Sequence, residues 1–258
     1  MSDSQGHFVW YELMTTDRAA AEAFYRKVVG WDAQPAANSE VPYGLLKVAD
    51  TPVAGVMDLP EEARAMGTPP GWIAYVGADD VDAMTAKVER LGGTVHVQPR
   101  DIPGVGRFSM VADPQGGVLG LFKWASPMPS QPATVGTPGQ IGWHELMATD
   151  WPKALAFYGE LFGWTKSTPV DMGPMGTYQL FQIAGADAGG MFNMPEGVPR
   201  PFWLYYFNVD DVGAAAARVT DSGGQIVNGP MEVPGGGWIL QGSDPQGAMF
   251  ALSGPKAS

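Results

Sequence analysis

The chain repeats itself once, and this duplication limits the folds that it can adopt. Residues 7–31 match residues 140–164 at 12 of 25 aligned positions, far more than chance gives. Later parts match at a spacing of 131 residues, so that the turn Asp113-Pro114-Gln115-Gly116 is aligned with Asp244-Pro245-Gln246-Gly247. Self-similarity over such a length indicates two homologous domains rather than one large one.

The repeat also predicts where the domains begin and end. We place the first domain at 6–124 and the second at 139–253. Residues 125–138 between them are rich in Pro and Ser, which is typical of a semi-extended linker.

Within each domain the residue pattern predicts the same unit twice. A strand at 7–14 leads through the helix cap Thr16-Asp17 into a helix at 18–29, and three short strands follow. The order then restarts with a strand at 71–78 and a helix at 81–91, again followed by three strands. The chain therefore consists of four βαβββ modules, an α+β order that is neither a Rossmann alternation nor a sandwich.

Composition excludes several classes of function. With 15 Lys and Arg against 27 Asp and Glu, the net charge of −12 argues against nucleic acid and anionic membranes as partners. There is no Cys, so disulfides, thiol nucleophiles and thiolate metal sites are excluded. The N-terminus has no basic and apolar segments of a signal peptide, and no apolar run is long enough to span a membrane, so we expect a cytoplasmic protein.

The module order and its motifs resemble the vicinal oxygen chelate superfamily, which includes glyoxalase I, bleomycin-resistance proteins, fosfomycin-resistance enzymes and extradiol dioxygenases. The motifs are the strand end Thr16-Asp17, the helical pair Phe24-Tyr25, the helix end Gly30-Trp31 and the Asp-Pro-Gln-Gly turn. The Trp-x-Glu-Leu opening of both halves is similar to a tandem-domain glyoxalase-like, predicted-hydroxylase subgroup. The resemblance implies two curved mixed sheets, each forming a cup, but it leaves the reaction open because the superfamily spans many activities.

The resemblance also implies where a divalent metal would be bound, by His or Glu on three strands of each half. Those positions hold Trp10, Ile73 and Gly120 in the first half and Trp143, Leu204 and Ala251 in the second. None of these side chains can ligate a metal, so we expect no metal cofactor, while a divalent metal is left open in case the alignment is shifted by one residue. His144 lies one residue beyond Trp143 and by strand alternation points to the other face; we keep it as a candidate ligand contact.

Two glutamates are the candidate catalytic residues. Glu12 and Glu145 lie two residues beyond the tryptophans and share their face, so each would point into a cup. A carboxylate in an apolar cup can act as a general acid or base, or it can be a structural group bound by backbone amides or an arginine.

Further side chains are candidates for ligand binding. The predicted inner faces carry the aromatic residues Trp10, Trp143, Tyr75 and Tyr206. These suit a planar or apolar ligand, or they form ordinary core. Arg107, replaced by Trp238 in the second copy, would meet an anionic ligand or form a surface ion pair.

Two hypotheses for function remain. In the first, the protein binds a small apolar or aromatic molecule in a sheet-lined cup without the family's metal. In the second, it is a lyase, isomerase or hydrolase acting on a small carbonyl or polyketide-like compound, with Glu12 or Glu145 moving a proton. Metal-dependent glyoxalase or dioxygenase chemistry is disfavoured. Four modules in one chain predict a pseudo-twofold monomer or a homodimer.

Overall fold

The computed structural model describes residues 4–37, 41–126 and 136–257. The elements of the first half, in chain order, are β1 (Phe8–Thr15), α1 (Arg18–Val28), β2 (Asp32–Pro35), β3 (Tyr43–Val48), β4 (Thr51–Asp58), α2 (Glu61–Ala65), β5 (Gly71–Gly77), α3 (Val81–Arg90), β6 (Thr94–Ile102), β7 (Gly106–Ala112) and β8 (Val118–Trp124). The sequence pattern predicted all of these except the short helix α2.

The second half repeats this order, with a short 3-10 turn at Gly173–Met175 and no counterpart of α2 among its described residues. Its elements are β9 (Ile141–Ala148), α4 (Trp151–Phe162), β10 (Thr165–Asp171), β11 (Thr177–Ile183), β12 (Ala186–Asn193), β13 (Phe202–Asn208), α5 (Val212–Asp221), β14 (Gln225–Glu232), β15 (Trp238–Ser243) and β16 (Met249–Gly254). Most of the predicted linker, residues 127–135, lies outside the described residues.

Aspartates begin the four long helices, as their sequence positions predict. The carboxylate of Asp17 accepts the backbone N–H of Ala20, and Asp80 accepts that of Ala83. Asp150 and Asp211 cap α4 and α5 in the same way. Each cap accepts backbone N–H groups that have no partner within the helix, and it thereby fixes the residue at which the helix begins.

Each half forms one mixed eight-stranded sheet, which confirms the predicted α+β fold of four modules. The strand orders are β2-β3-β4-β1-β5-β8-β7-β6 and β10-β11-β12-β9-β13-β16-β15-β14. In each module the first strand pairs with the last in parallel, as β1 does with β4 and β5 with β8, while neighbouring strands of the meander are antiparallel. The long crossover that parallel pairing requires contains the helix.

The contacts divide the chain into two compact units, each made of segments from both halves. Unit 1 comprises the described residues of Met1–Val9, Ala74–Pro132 and His144–Leu204. Unit 2 comprises those of Trp10–Ile73, Ala133–Trp143 and Tyr205–Ser258.

In unit 2 the core is centred on Tyr25 of α1. The indole N–H of Trp72 donates to the Tyr25 hydroxyl at 2.8 Å, and this hydroxyl donates to the carboxylate of Asp244 at 3.2 Å. Burial first, and the charge of Asp244 second, raise the pKa of Tyr25 well above its usual value. The Asp-Pro-Gln-Gly turn thus contributes a buried acceptor to the core as well as a chain reversal.

Unit 1 repeats this network with the other turn. The indole N–H of Trp203 donates to Tyr158 of α4 at 3.2 Å, and the Tyr158 hydroxyl donates to Asp113 at 2.8 Å. The second oxygen of Asp113 accepts the backbone N–H groups of Gln115 and Gly117. Every polar atom of this buried set has a partner, which burial requires.

Among the described residues, no helix is long and apolar enough to cross a membrane.

Candidate functional site

The alternation of side chains along β1 determines the face to which the Glu12 carboxylate of the Trp-x-Glu motif points. Tyr11 and Leu13 are buried, and Tyr11 packs edge-to-face against Tyr205 within unit 2. Trp10 and Glu12 therefore lie on the opposite face of β1, as the sequence predicts. Trp10 is half-buried, whereas Glu12 is only 7% exposed.

A tyrosine that the sequence analysis missed joins these two side chains. The indole N–H of Trp10 donates to the Tyr43 hydroxyl at 2.9 Å, and that hydroxyl donates to Oε2 of Glu12 at 2.8 Å. Burial first, and the negative charge of Glu12 second, raise the pKa of Tyr43 well above its usual value. The hydroxyl proton therefore stays on Tyr43 at neutral pH, and the carboxylate is oriented by it.

A glycine makes room for the tyrosine. Gly55 on β4 pairs with Glu12, and a Cβ atom at this position would overlap the ring of Tyr43. The second copy has the same arrangement in unit 1, where Gly190 pairs with Glu145 and a Cβ atom there would overlap Tyr178. Glu145 is 5% exposed and Trp143, which belongs to unit 2, is half-buried. The Tyr and Gly pairs recur at a spacing of 135 residues, and this repetition is the signal that would have found them.

The second module of the first half carries a cluster that we call the first wall: Tyr75, Arg100, Phe108, Met110 and Phe122. Its rings pack edge-to-face, with centroids 6.4 Å apart for Tyr75 and Phe108 and 5.8 Å apart for Tyr75 and Phe122. On β7, Ser109 contacts Thr85 of helix α3, so Phe108 and Met110 lie on the helix-free face.

The second half carries the corresponding second wall: Tyr206, Asn228, Met231, Ile239 and Gln241. The register pairs Met231 with Ile239 and Asn228 with Gln241, just as it pairs Arg100 with Phe108 and Val97 with Met110 in the first half. The Gln241 amide donates to the Tyr206 hydroxyl at 2.9 Å, and the Asn228 amide donates to Gln241 at 3.3 Å. At the position of Met110 the second wall therefore carries the polar side chain of Gln241.

Arg107 lies on the other face of β7, towards α3. Its guanidinium binds Asp82 through two nitrogens, at 2.7 and 2.8 Å, and Asp101 through a third, at 3.0 Å. The arginine lowers the pKa of the Asp82 carboxyl. At the corresponding position, Trp238 has the ammonium of Lys256 4.1 Å from its ring centroid.

His144 lies in the core of unit 1. It is 1% exposed, its ring stacks on Phe8 with centroids 3.7 Å apart, and its Nδ1 is 2.7 Å from the carbonyl oxygen of Ala188. Burial lowers its pKa to about 4, so the ring is neutral at physiological pH.

The family's metal positions do not fit a metal ion in this chain. The nitrogen of Trp10 is a hydrogen-bond donor, and Tyr75 covers Gly120 so closely that a Cβ atom there would overlap its ring. Ile73, Leu204 and Ala251 are apolar, and the indole of Trp143 has no lone pair to offer. Within the described ranges, no group of three or more His, Asp or Glu side chains is placed to hold a metal.

Comparison with known proteins identifies the family. The model of the Glyoxalase/Bleomycin resistance protein/Dioxygenase superfamily matches residues 5–120 and 140–252. The chain belongs to this superfamily. Its resemblance to the vicinal oxygen chelate proteins is thereby confirmed, in both halves.

Relatives with related sequences span almost the whole chain. "Putative glyoxylase CFP32" of Mycobacterium tuberculosis is 35% identical over 97% of this chain and 95% of its own length. "Anthracycline biosynthesis protein DnrV" of Streptomyces peucetius is 31% identical over 94% of this chain and 91% of its own length.

Solved structures share the fold at lower identity. The Mn(II)-bound glyoxalase from Novosphingobium aromaticivorans is 18% identical with a TM-score of 0.64, over 97% of this chain and 81% of that one. The 2,2',3-trihydroxybiphenyl 1,2-dioxygenase from Sphingomonas wittichii is 14% identical with a TM-score of 0.66, over 98% and 90%. At these identities the likeness concerns the fold alone.

Proposed function

We propose that the protein binds a small apolar or aromatic molecule at Trp10, Tyr43 and Glu12, without the metal ion of other family members. The observation that carries this proposal is the hydrogen-bonded series from Trp10 through Tyr43 to Glu12. A half-buried indole beside an oriented carboxylate suits a flat molecule that carries one polar donor.

Two relatives support an aromatic ligand by their names. DnrV and the DauV protein of a Streptomyces strain are both named as anthracycline biosynthesis proteins. We infer a ligand class of flat, aromatic or polyketide-like compounds from this together with the aromatic residues of the site.

Proton transfer is the second candidate function, and the contact between Tyr43 and Glu12 favours it. A carboxylate that is 7% exposed and accepts a hydroxyl proton at 2.8 Å is placed to take up or return a proton. A metal-free enzyme would also need donors that stabilise an enolate. Glu145 would take the same role in the second copy.

A fluorescence titration tests the binding proposal. The probe is N-phenyl-1-naphthylamine, an uncharged aromatic compound whose emission rises in apolar surroundings. We expect saturable binding that Trp10→Ala weakens at least about tenfold. Trp238→Ala, which removes an indole outside the site, serves as the matched control and should leave the affinity unchanged. Equal affinities in the wild type and Trp10→Ala would overturn the proposal.

Glu12→Gln separates the two candidates. If the protein only binds, this nearly isosteric change alters probe affinity a few-fold at most. If it is an enzyme, turnover of a small carbonyl substrate is lost while probe binding remains.

Metal analysis tests the metal-free part. Protein grown with added Mn(II), Zn(II) and Ni(II) should contain far less than one equivalent of each after gel filtration. A stoichiometric metal would overturn this part.

We also propose that the chain acts in the cytoplasm as a monomer or homodimer, and light scattering of the purified protein gives the mass.

A further inference from the structure

We propose that Arg100 makes the first wall selective for aromatic molecules that carry a negative charge. This inference goes beyond the proposed function, because the first wall belongs to unit 1 whereas Trp10, Tyr43 and Glu12 belong to unit 2. Arg100 pairs directly with Phe108 across β6 and β7, and its guanidinium carbon is 4.9 Å from the centroid of the Phe108 ring. The side chain is thus fixed against an aromatic face while the residue stays exposed.

The charge of Arg100 is available to a ligand. None of the ion pairs formed by the described residues includes Arg100. The nearby carboxylate of Asp101 is bound by Arg107 instead, at 3.0 Å. In a chain of net charge −12 an anionic ligand needs a local positive charge of this kind, because the surrounding potential is negative.

The rest of the first wall is mainly apolar and largely buried. Tyr75, Phe108, Met110 and Phe122 are each at most 8% exposed. We place the ring of the ligand against the small part of these side chains that solvent reaches, with Arg100 as the exposed cationic group beside them. A planar guanidinium binds a carboxylate or sulfonate through two parallel hydrogen bonds, which fixes the orientation of an aromatic anion.

The second wall lacks this charge. Met231, which is 37% exposed, stands where Arg100 stands in the first wall. Gln241 stands where Met110 stands, bound to Tyr206 and Asn228. We therefore expect the second wall to favour an uncharged ligand with hydrogen-bonding groups, so that the two copies differ in ligand class.

Two probes with one aromatic scaffold test the inference. 8-Anilinonaphthalene-1-sulfonate carries a sulfonate, and N-phenyl-1-naphthylamine lacks it. We expect Arg100→Gln to weaken binding of the sulfonate probe about tenfold and to leave the uncharged probe unchanged. Arg100→Lys keeps the charge but not the paired hydrogen bonds, so its affinity for the sulfonate probe should lie between those of the wild type and Arg100→Gln. Added NaCl should weaken sulfonate binding to the wild type more than to Arg100→Gln.

The counterpart position offers a gain-of-function control. Met231→Arg should strengthen sulfonate binding, since it places an arginine beside the second wall. An unchanged sulfonate affinity in Arg100→Gln would overturn the inference, and so would an equal loss for both probes, which indicates a structural role. If the uncharged probe binds as proposed but the sulfonate probe does not bind at all, only the inference on Arg100 fails. If neither probe binds the wild type, the proposed function fails with it.

Discussion

The two walls are built from the same strands, yet their side chains differ. Both keep the tyrosine, at Tyr75 and Tyr206, whereas Met110 in the first is Gln241 in the second. The cores of the two units, by contrast, are alike. Each retains a Trp–Tyr–Asp network with the same donors and acceptors. The duplicated chain has therefore kept the packing that supports the fold, while the helix-free faces have diverged in chemistry.

The largest expected effect tests whether the cores are equivalent. Tyr25→Phe and Tyr158→Phe each leave a buried carboxylate oxygen and a buried indole N–H without their partner, which costs roughly 1–3 kcal/mol per group. We therefore expect each variant to lose about 2–6 kcal/mol of unfolding free energy in urea titrations. A loss confined to one variant would show that the two networks are not equivalent.

Acid should destabilise unit 1 through His144, for which the aligned residue of unit 2 is Tyr11. Because the pKa of His144 is lowered from 6.5 to about 4 by burial, the folded state binds this proton less readily than the unfolded chain. Its contribution is fully present above pH 6.5 and is lost as the pH falls from 6.5 to 4. A shift of this size corresponds to roughly 3 kcal/mol.

His144→Phe isolates this contribution from the other acid-titrating groups. The ring can still stack on Phe8 but does not titrate. The difference in unfolding free energy between the wild type and the variant should move in the variant's favour between pH 7 and pH 4.5. Parallel stability curves over this range would contradict the assignment.

The two wall tyrosines pair with different residues on the neighbouring strand. Tyr75 lies over Gly120, while the corresponding pair in the second wall is Tyr206 and Ala251. Gly120→Ala should displace the ring of Tyr75 and lower the unfolding free energy by about 1–3 kcal/mol. It should also weaken binding of the sulfonate probe at the first wall. Ala251→Gly is the matched control and should cost only about 1 kcal/mol. Equal effects of the two changes would show that Tyr75 has room to move.

The sequence predicted the modules well because they depend on local signals. Aspartate caps, alternating strands and the duplicated motifs each act over a few residues, and Asp17 and Asp150 cap the helices that the pattern indicates. Tyr43 was missed because its role arises from pairing between strands. Its ring reaches Glu12 only over Gly55, a contact between residues 31 positions apart. The repeat marks Tyr43 and Gly55 as a recurring pair, but their contact with Glu12 depends on the register, which the residue pattern does not contain.

The sequence also could not predict the hydrogen-bond and ion-pair partners of individual side chains. The pattern left Arg107 between a ligand contact and a surface ion pair, and the structure places it against Asp82 and Asp101. Asp244 was interpreted as a turn residue only, because its acceptor role towards Tyr25 links positions 219 residues apart. The roles assigned to Glu12 and Glu145 remain predictions.

The smallest expected effect makes the second wall resemble the first. Gln241→Met introduces the residue that stands at position 110, and removes the hydrogen bond to Tyr206. Since such a bond contributes about 1 kcal/mol, the unfolding free energy should fall by roughly that amount. The uncharged naphthylamine probe should bind more tightly, because an apolar side chain replaces the amide at position 241, whereas the sulfonate probe should gain affinity only when Met231→Arg is added. If Gln241→Met alone strengthened sulfonate binding as much as the double variant, apolar character rather than the arginine would distinguish the walls.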